Sequence, residues 1–526
     1  MDTPPRYPTR RIVAVALVTL VALAACSSGS SSKASSSTVA NTTPMRVAFL
    51  GDMGAPDPDV FYASEGLMVT TSAYEGLLQY ADNSVKIVPS LADLPTVSSD
   101  GLTYTFKLHP GVTFHDGTPF NSAAVKASFD RRTAINQGPA YMLAHVTSVD
   151  TSDPLTAVVH LDKPVSAFLD YLAAPFGPKM LSPTAIAAHA TGGDHGQAWL
   201  QTHDVGTGAY EIASFQPNQK YVLKAYTGYW GAKPAISEVD ISILPDIATQ
   251  RLEFEQGDLD MITHGLQPAD VVTLQKQSGV KVSTFPAELK GILFLNPHSG
   301  AFTSQAARDA LEQALDKTAL TKAVYGDAGT PSTQIYPAGE LPDSATTSKV
   351  TYDPSVLKAL VPSLSTKKVN IGFDPTDPRN QDLAEHVQLA LQAAGFDAIV
   401  TSVPIAQIFD LPKHLSTAPD IVIQTTNPDA AHPDTWARIY EATGGGGNYL
   451  MCTDPAVDKL LDEGLAATTP DAVTKAYGDA GNLIVKGGCS IDIADVQDTI
   501  ITKGLSGFYH VPSIPWTVKL SSLTRG

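Results

Sequence analysis

His115 and Asp116 adjoin in the string GVTFHDGTPF and come nearer to an acid–base pair than anything else in this sequence. Flanked by Phe114, Gly117 and Pro119, they read instead as a tight turn whose side chains hydrogen-bond to backbone. The 13 histidines include no HExxH and no other paired metal-ligand spacing. No GxSxG string occurs that would set a serine on a nucleophile turn. Gly206–Tyr210, GTGAY, lacks the Lys-Ser/Thr pair of a phosphate-cradling loop and reads as a loop that needs unusual backbone angles. Gly444–Gly447 reads as a flexible loop. With no nucleophile beside a base and no metal or cofactor constellation, no enzyme activity, cofactor or metal is expected.

The three cysteines carry more. Cys26 ends Leu23-Ala24-Ala25-Cys26, behind an apolar run from Ile12 to Ala22 and a head with Arg6, Arg10 and Arg11. A basic head, a short apolar segment and small residues before a cleavage point describe an export signal. The run is shorter than the ~20 residues that span a bilayer. Arg10-Arg11 also fits a twin-arginine signal, but the plain basic head is the reading adopted. A cysteine at this point resembles a bacterial lipobox, whose thiol is acylated and becomes the mature N-terminus, so Cys26 is the expected lipid anchor at the cell membrane. The serine-rich stretch that follows cannot build a core and reads as a tether. In an exported chain the remaining pair, Cys452 and Cys489, reads as a disulfide rather than a metal site, with two free thiols as the alternative.

These groups need a scaffold, and 526 residues suit two or three domains rather than one core. Hydrophobic content of 43% and charged content of 17% are those of a soluble globular protein. A net charge of −18 argues against general nucleic-acid binding, which needs a cationic surface. MRVAFLG, LTYTFKL, TAVVHLD and KYVLKAY read as strands, and 67–80, 122–131, 248–255, 304–315 and 384–394 as helical segments. The last helix lies between VNIGF and AIVTSV, a β–α–β arrangement within two α/β lobes. Lys358–Lys368, broken by Pro362, reads as a junction rather than a buried element.

Pro89 to Arg132, PSLADLPTVSSDGLTYTFKLHPGVTFHDGTPFNSAAVKASFDRR, resembles the family 5 solute-binding proteins of ABC importers, which include dipeptide, oligopeptide and nickel receptors. YEGLL, GTGAY, YTGYWGAKP, RLEFEQGDLDMI and NPHSGAFTSQAARDALEQALD follow in family order, and the resemblance runs from Met45 to the C-terminus. It implies an α/β, two-lobed periplasmic-binding-protein-like fold with a hinge, lobe I carrying an extra subdomain. The expected divisions are a signal peptide at 1–25 and a tether at 26–44. Lobe I would span 45–289 with a subdomain at about 81–202, lobe II 290–499, and a return to lobe I 500–526. The implied function is extracytoplasmic capture of a small solute, a di- or oligopeptide, by a monomeric lipoprotein that delivers it to a membrane permease. The alternatives are a family member acting as a regulatory or envelope-assembly partner, or a metal-chelate or haem receptor.

A zwitterionic peptide can be buried only if its ammonium meets a carboxylate and its backbone is paired. Peptide receptors of this family carry such an aspartate after a strand of lobe II. Aligning Trp436 of NPDAAHPDTW with the family's aromatic puts Asp429 there, beside Asn427. Asp434 takes the role if the loop gaps differently, and a turn cap is the other reading of Asp429. Counting back from YEGLL maps the peptide-facing loop of lobe I to Tyr62-Ala63-Ser64. Two departures put the ligand class in question. Thr426 stands where the family often has tryptophan, and the C-terminal strand SIDIADVQDTII lacks the family's tyrosines.

Overall fold

The computed structural model describes residues 43–526, apart from 343, 346–349 and 514. The leader, most of the tether and Cys26 lie outside the described residues. Alternation of apolar and polar residues produces the strands Thr103–Lys107, Thr156–Leu161 and Lys220–Ala225, in which buried and partly exposed positions alternate. The first two form the centre of a four-stranded antiparallel sheet with Thr96–Val97 and Val146–Asp153 at its edges. Helix Ser122–Ile135 packs on this sheet. It starts where the Asn121 side chain accepts from Ala124 N–H and stops at Asn136, in the left-handed region with φ 50°.

The large sheet has 11 strands. One flank holds Asp397–Ser402, Lys368–Phe373 and Ile421–Thr426, which are parallel to one another. The other holds Met261–Ile262, Met45–Phe49, Glu238–Ile243, Lys220–Ala225 and Tyr210–Gln216. Between them run two long antiparallel strands, Val280–Leu295 and Ser490–Lys503, whose register breaks between Phe285 and Leu289. Gly329–Pro331 pairs with the second of these. Apolar side chains sort mainly on either side of that break, with Ala430 and Leu465 crossing to the first cluster. One cluster joins Met45, Phe106, Phe129, Tyr210 and Met261 to Ile500, Val518, Leu520 and Leu523. Two others draw on residues between Leu289 and Val496. The molecule is therefore a mixed α/β structure of two lobes joined by two strands.

Three sequence expectations change. The segment 67–80 is not one helix: Leu67–Ala73 is helical, and Leu78–Tyr80 is a strand paired with Ile87–Pro89. Tyr74 is already extended, and Gly76 passes too close to the carbonyls of Leu172, Leu78 and Pro178 for a side chain to fit easily. The segment 358–368 is not a junction, because Lys358–Leu360 completes helix Pro354–Leu360 and Val361 is buried in the second lobe's core. The helix expected at 384–394 begins at Pro378, with Asp377 capping it and proline at the first turn, where its missing N–H costs nothing.

A buried ionic knot fixes the chain ahead of the first helix. Arg131 NH2 donates to Asp57 at 2.6 Å and its NH1 to Asp59 at 2.5 Å, while Arg132 Nε donates to Asp59 at 2.8 Å. The remaining guanidinium donors reach backbone, Arg131 Nε to His195 O and Arg132 to Phe176 O and Pro58 O. All four side chains are buried, with Arg132 and Asp57 at 0% exposure. Phe61 N–H donates to Asp57 O at 2.8 Å, so the knot holds the turn that leads into Tyr62–Ser64.

Cys452 and Cys489 are joined as a disulfide in the second lobe, with Cα atoms 6.2 Å apart and a sequence separation of 37. Replacing both by serine is expected to lower unfolding free energy by about 2–4 kcal/mol through lost restriction of the unfolded chain. Urea melts of oxidised, reduced and serine forms check this, with equal midpoints the contrary result.

Candidate functional site

Asp429 follows strand Ile421–Thr426 by a short turn through Asn427 and Pro428, and is 6% exposed. Its Oδ2 accepts from the Tyr62 hydroxyl at 2.5 Å and from the Tyr141 hydroxyl at 2.7 Å. Burial raises the carboxyl from its ordinary 3.8 to about 6, against the lowering effect of those two donors. Burial and the adjacent carboxylate push both phenols well above their usual range, which keeps them protonated as donors. Among the described residues no lysine, arginine or histidine pairs with Asp429. A buried carboxylate held by two neutral donors, with no cation, is a place for a positive charge to enter.

The neighbouring residues tie the two lobes together at this point. Ser64 Oγ donates to Asn427 Oδ1 at 3.1 Å, and Asn427 Nδ2 donates to Pro428 O. Tyr440 donates to Asn427 O at 2.9 Å and lies 2.5 Å from Thr426 Oγ1. Ala431 N–H donates to the Tyr80 hydroxyl at 2.9 Å. Tyr62, Ser64, Asn427 and Asp429 are thus together. Asp434 and Trp436 are not available to a ligand. Asp434, wholly buried, accepts from Tyr171 at 3.0 Å, from Tyr477 at 2.8 Å and from Arg438 at 2.9 Å, so its charge is already paired. Trp436 is fully buried in the second lobe's core and packs on Tyr440, ring centres 4.7 Å apart, so it supports the site from behind.

Sequence reasoning missed Tyr141, Tyr440 and Tyr80. Tyr141 comes from the short turn Gly138–Leu143, which has no motif. Tyr141, Tyr440 and Tyr80 place three phenols around the Asp429 loop, each from a different element. Strand Ser490–Lys503 instead carries carboxylates. Asp495 pairs with the wholly buried Lys290 at 2.8 Å, and Ser332 Oγ and Gln334 O also accept from that amine.

The two motifs weighed first resolve structurally. In His115-Asp116-Gly117, Gly117 N–H closes on Phe114 O at 2.8 Å with φ 79°, and Asp116 accepts from Thr118 N–H. His115 pairs with Asp204 and its Nε2 lies 3.0 Å from Gly208 O. Gly206 and Gly208 need no unusual angles, contrary to expectation. Each lacks a side chain because a Cβ would overlap the backbone carbonyls of Ala73 and Ser72. Among the described residues no group of three or more His, Cys, Asp and Glu is arranged to hold a metal. None of the described helices is long and apolar enough to cross a membrane.

The bacterial extracellular solute-binding proteins, family 5, match this chain over residues 86–448 through the family's middle region. The chain belongs to that family. Such proteins are solute receptors of ABC importers, not enzymes, and work outside the cytoplasm. A curated relative, the probable D,D-dipeptide-binding periplasmic protein DdpA of Escherichia coli K12, is 26% identical over 479 residues, 89% of this chain and 92% of its own. Among solved folds, the dipeptide binding protein of Pseudoalteromonas sp. SM9913 in complex with Met-Leu superposes with a TM-score of 0.81 at 19% identity, over 92% of this chain and 100% of its own. NikA of Brucella suis, in complex with Fe(III)-EDTA, reaches 0.81 at 20% identity over the same shares. At those identities the two structures establish for this family 5 protein its two-lobed fold alone.

Proposed function

We propose that the solute of this family 5 receptor is a di- or oligopeptide with a free α-amine, enclosed between the lobes and handed to a membrane permease. The observation that carries the reading is Asp429, a buried carboxylate with two tyrosine donors and no cation. The names of DdpA and the Met-Leu complex support it, since each records a dipeptide. Ligand found by mass spectrometry after gentle purification supplies the peptide for calorimetry. The free form should bind at least about 100-fold tighter than its N-acetylated form, the cost of leaving a buried charge unmatched. Equal affinities, or capture of a nickel–histidine complex in place of peptide, would overturn it.

Lobe closure in this reading bends the two long strands near the register break at Phe285–Leu289, close to the proposed division at 289/290. Lipid attachment at Cys26 keeps the receptor beside its permease, and rests on Leu23-Ala24-Ala25 behind the apolar run. Cys26→Ala should move the protein from the membrane to the soluble fraction. A wild-type protein without acyl mass in intact-mass analysis is the contrary result.

A further inference from the structure

A second set of acids stands beside the Asp429 loop, and nothing assigned so far uses it. Tyr80, whose hydroxyl accepts from Ala431 N–H, is also hydrogen-bonded to Asp170 Oδ1 at 3.1 Å. Asp170 lies on helix Phe168–Ala173 of the first lobe and interacts electrostatically with Glu288 of the crossing strand Val280–Leu295. Glu288 in turn faces Glu340, from the second lobe. Three elements, one from each lobe and one from the connection, therefore bring carboxyls within electrostatic reach of one another.

Their satisfaction is poor. Glu288 is 3% exposed, and its Oε2 has no hydrogen-bond partner among the described residues. Both carboxyl oxygens of Glu340 are buried in the same condition. As whole residues Asp170 and Glu340 are half-buried, while the Glu340 carboxyl oxygens point inward. Lys290 faces Glu340 but is held by Asp495, Ser332 and Gln334. Protein interiors leave few buried acceptors unmet, and those they leave mark places where an ion or ligand group belongs.

We infer that the solute carries a second positive centre, a basic side chain or second ammonium group, received by Asp170, Glu288 and Glu340 while Asp429 receives the first. This rests on the proposed reading of Asp429 as the amine site. The groups facing Glu288 are Asp170, Tyr80 and Glu340, with Lys290 beyond Glu340. Burial, with Asp170 adding to it, raises Glu288 to about 8, and burial raises Asp170 to about 7. Near pH 7 the vacant acids thus hold protons that an arriving cation must displace. Binding should release protons and tighten as pH rises from 6 to 8.

Calorimetry at pH 7 compares Ala-Lys and Ala-Ala-Lys with counterparts in which norleucine replaces lysine, and includes 1,5-diaminopentane, two ammonium groups without a peptide. The lysine peptides should bind about tenfold tighter or more than the norleucine ones, with a heat that varies with the buffer's ionisation enthalpy. Glu288→Gln should remove most of that ratio, and Asp170→Asn serves if the first variant does not fold. Equal affinity for lysine and norleucine peptides overturns this inference and leaves the peptide reading intact. A lysine preference that survives both variants also overturns it. Glu288-dependent capture of the diamine without any peptide supports the cation site and removes the peptide reading. Binding of none of these probes removes both.

Discussion

Asp429→Ala is expected to cost about 3–5 kcal/mol of affinity for a peptide with a free α-amine, because the buried ammonium is left without its counter-charge. Asp429→Asn should cost nearly as much, since it keeps the acceptor for Tyr62 and Tyr141 but not the charge. Wild-type binding should also weaken as pH falls. The vacant carboxyl, raised from 3.8 to about 6 by burial, takes up a proton below about 6 and can no longer pair with an ammonium. The vacant protein itself responds in the opposite sense. A raised acid favours folding most fully below its ordinary 3.8, and that contribution is lost as pH rises through about 6. Calorimetry at pH 5, 6 and 7, with melting of the vacant protein in parallel, separates the two trends. Asp434→Ala makes the contrast: it strips Arg438, Tyr171 and Tyr477 of their acceptor and should lower stability rather than amine selectivity. Unchanged affinity in Asp429→Ala would take this carboxylate out of the site.

Breaking the ionic knot should be equally severe. Arg131→Ala leaves Asp57 buried without its charge partner, and Asp59→Ala deprives Arg131 and Arg132 together. Each is expected to lower unfolding free energy by about 3–5 kcal/mol, the usual cost of stranding one half of a buried pair. Arg131→Lys should rescue little. A single ammonium cannot span Asp57, Asp59 and the His195 carbonyl in the plane that the guanidinium occupies. Because the same turn carries Tyr62, partial unfolding there should also reduce ligand affinity before the second lobe melts. Urea denaturation followed at the first lobe's tyrosines measures the effect, and a loss below about 1 kcal/mol would mean that the knot is dispensable.

Strand alternation is legible in sequence because it is local: TYTFK carries its pattern within a few residues. Asp429 was readable only through resemblance, since an aspartate after proline looks the same whether it caps a turn or awaits an ammonium. Its partner Tyr141 arrives from 288 residues away, and no local pattern marks a tyrosine for that role. Trp436 marks the loop by its spacing, and its wholly enclosed ring packs on Tyr440. At Gly206 and Gly208 the demand is close approach of two backbones, which no local string of residues displays.

The two connecting strands also impose an order of assembly. The apolar cluster that holds Met45 is completed by Val518, Leu520 and Leu523, far along the sequence. Strand Met261–Ile262 likewise finds its partner only in Ile501 and Thr502. The clusters between Leu289 and Val496, by contrast, draw on one continuous stretch. That stretch is able to collapse while the N-terminal half still waits, its long-range contacts being slow to close. Removing Val518, Leu520 and Leu523 would therefore leave the first lobe's core unfinished, while the second lobe's clusters would keep all their members.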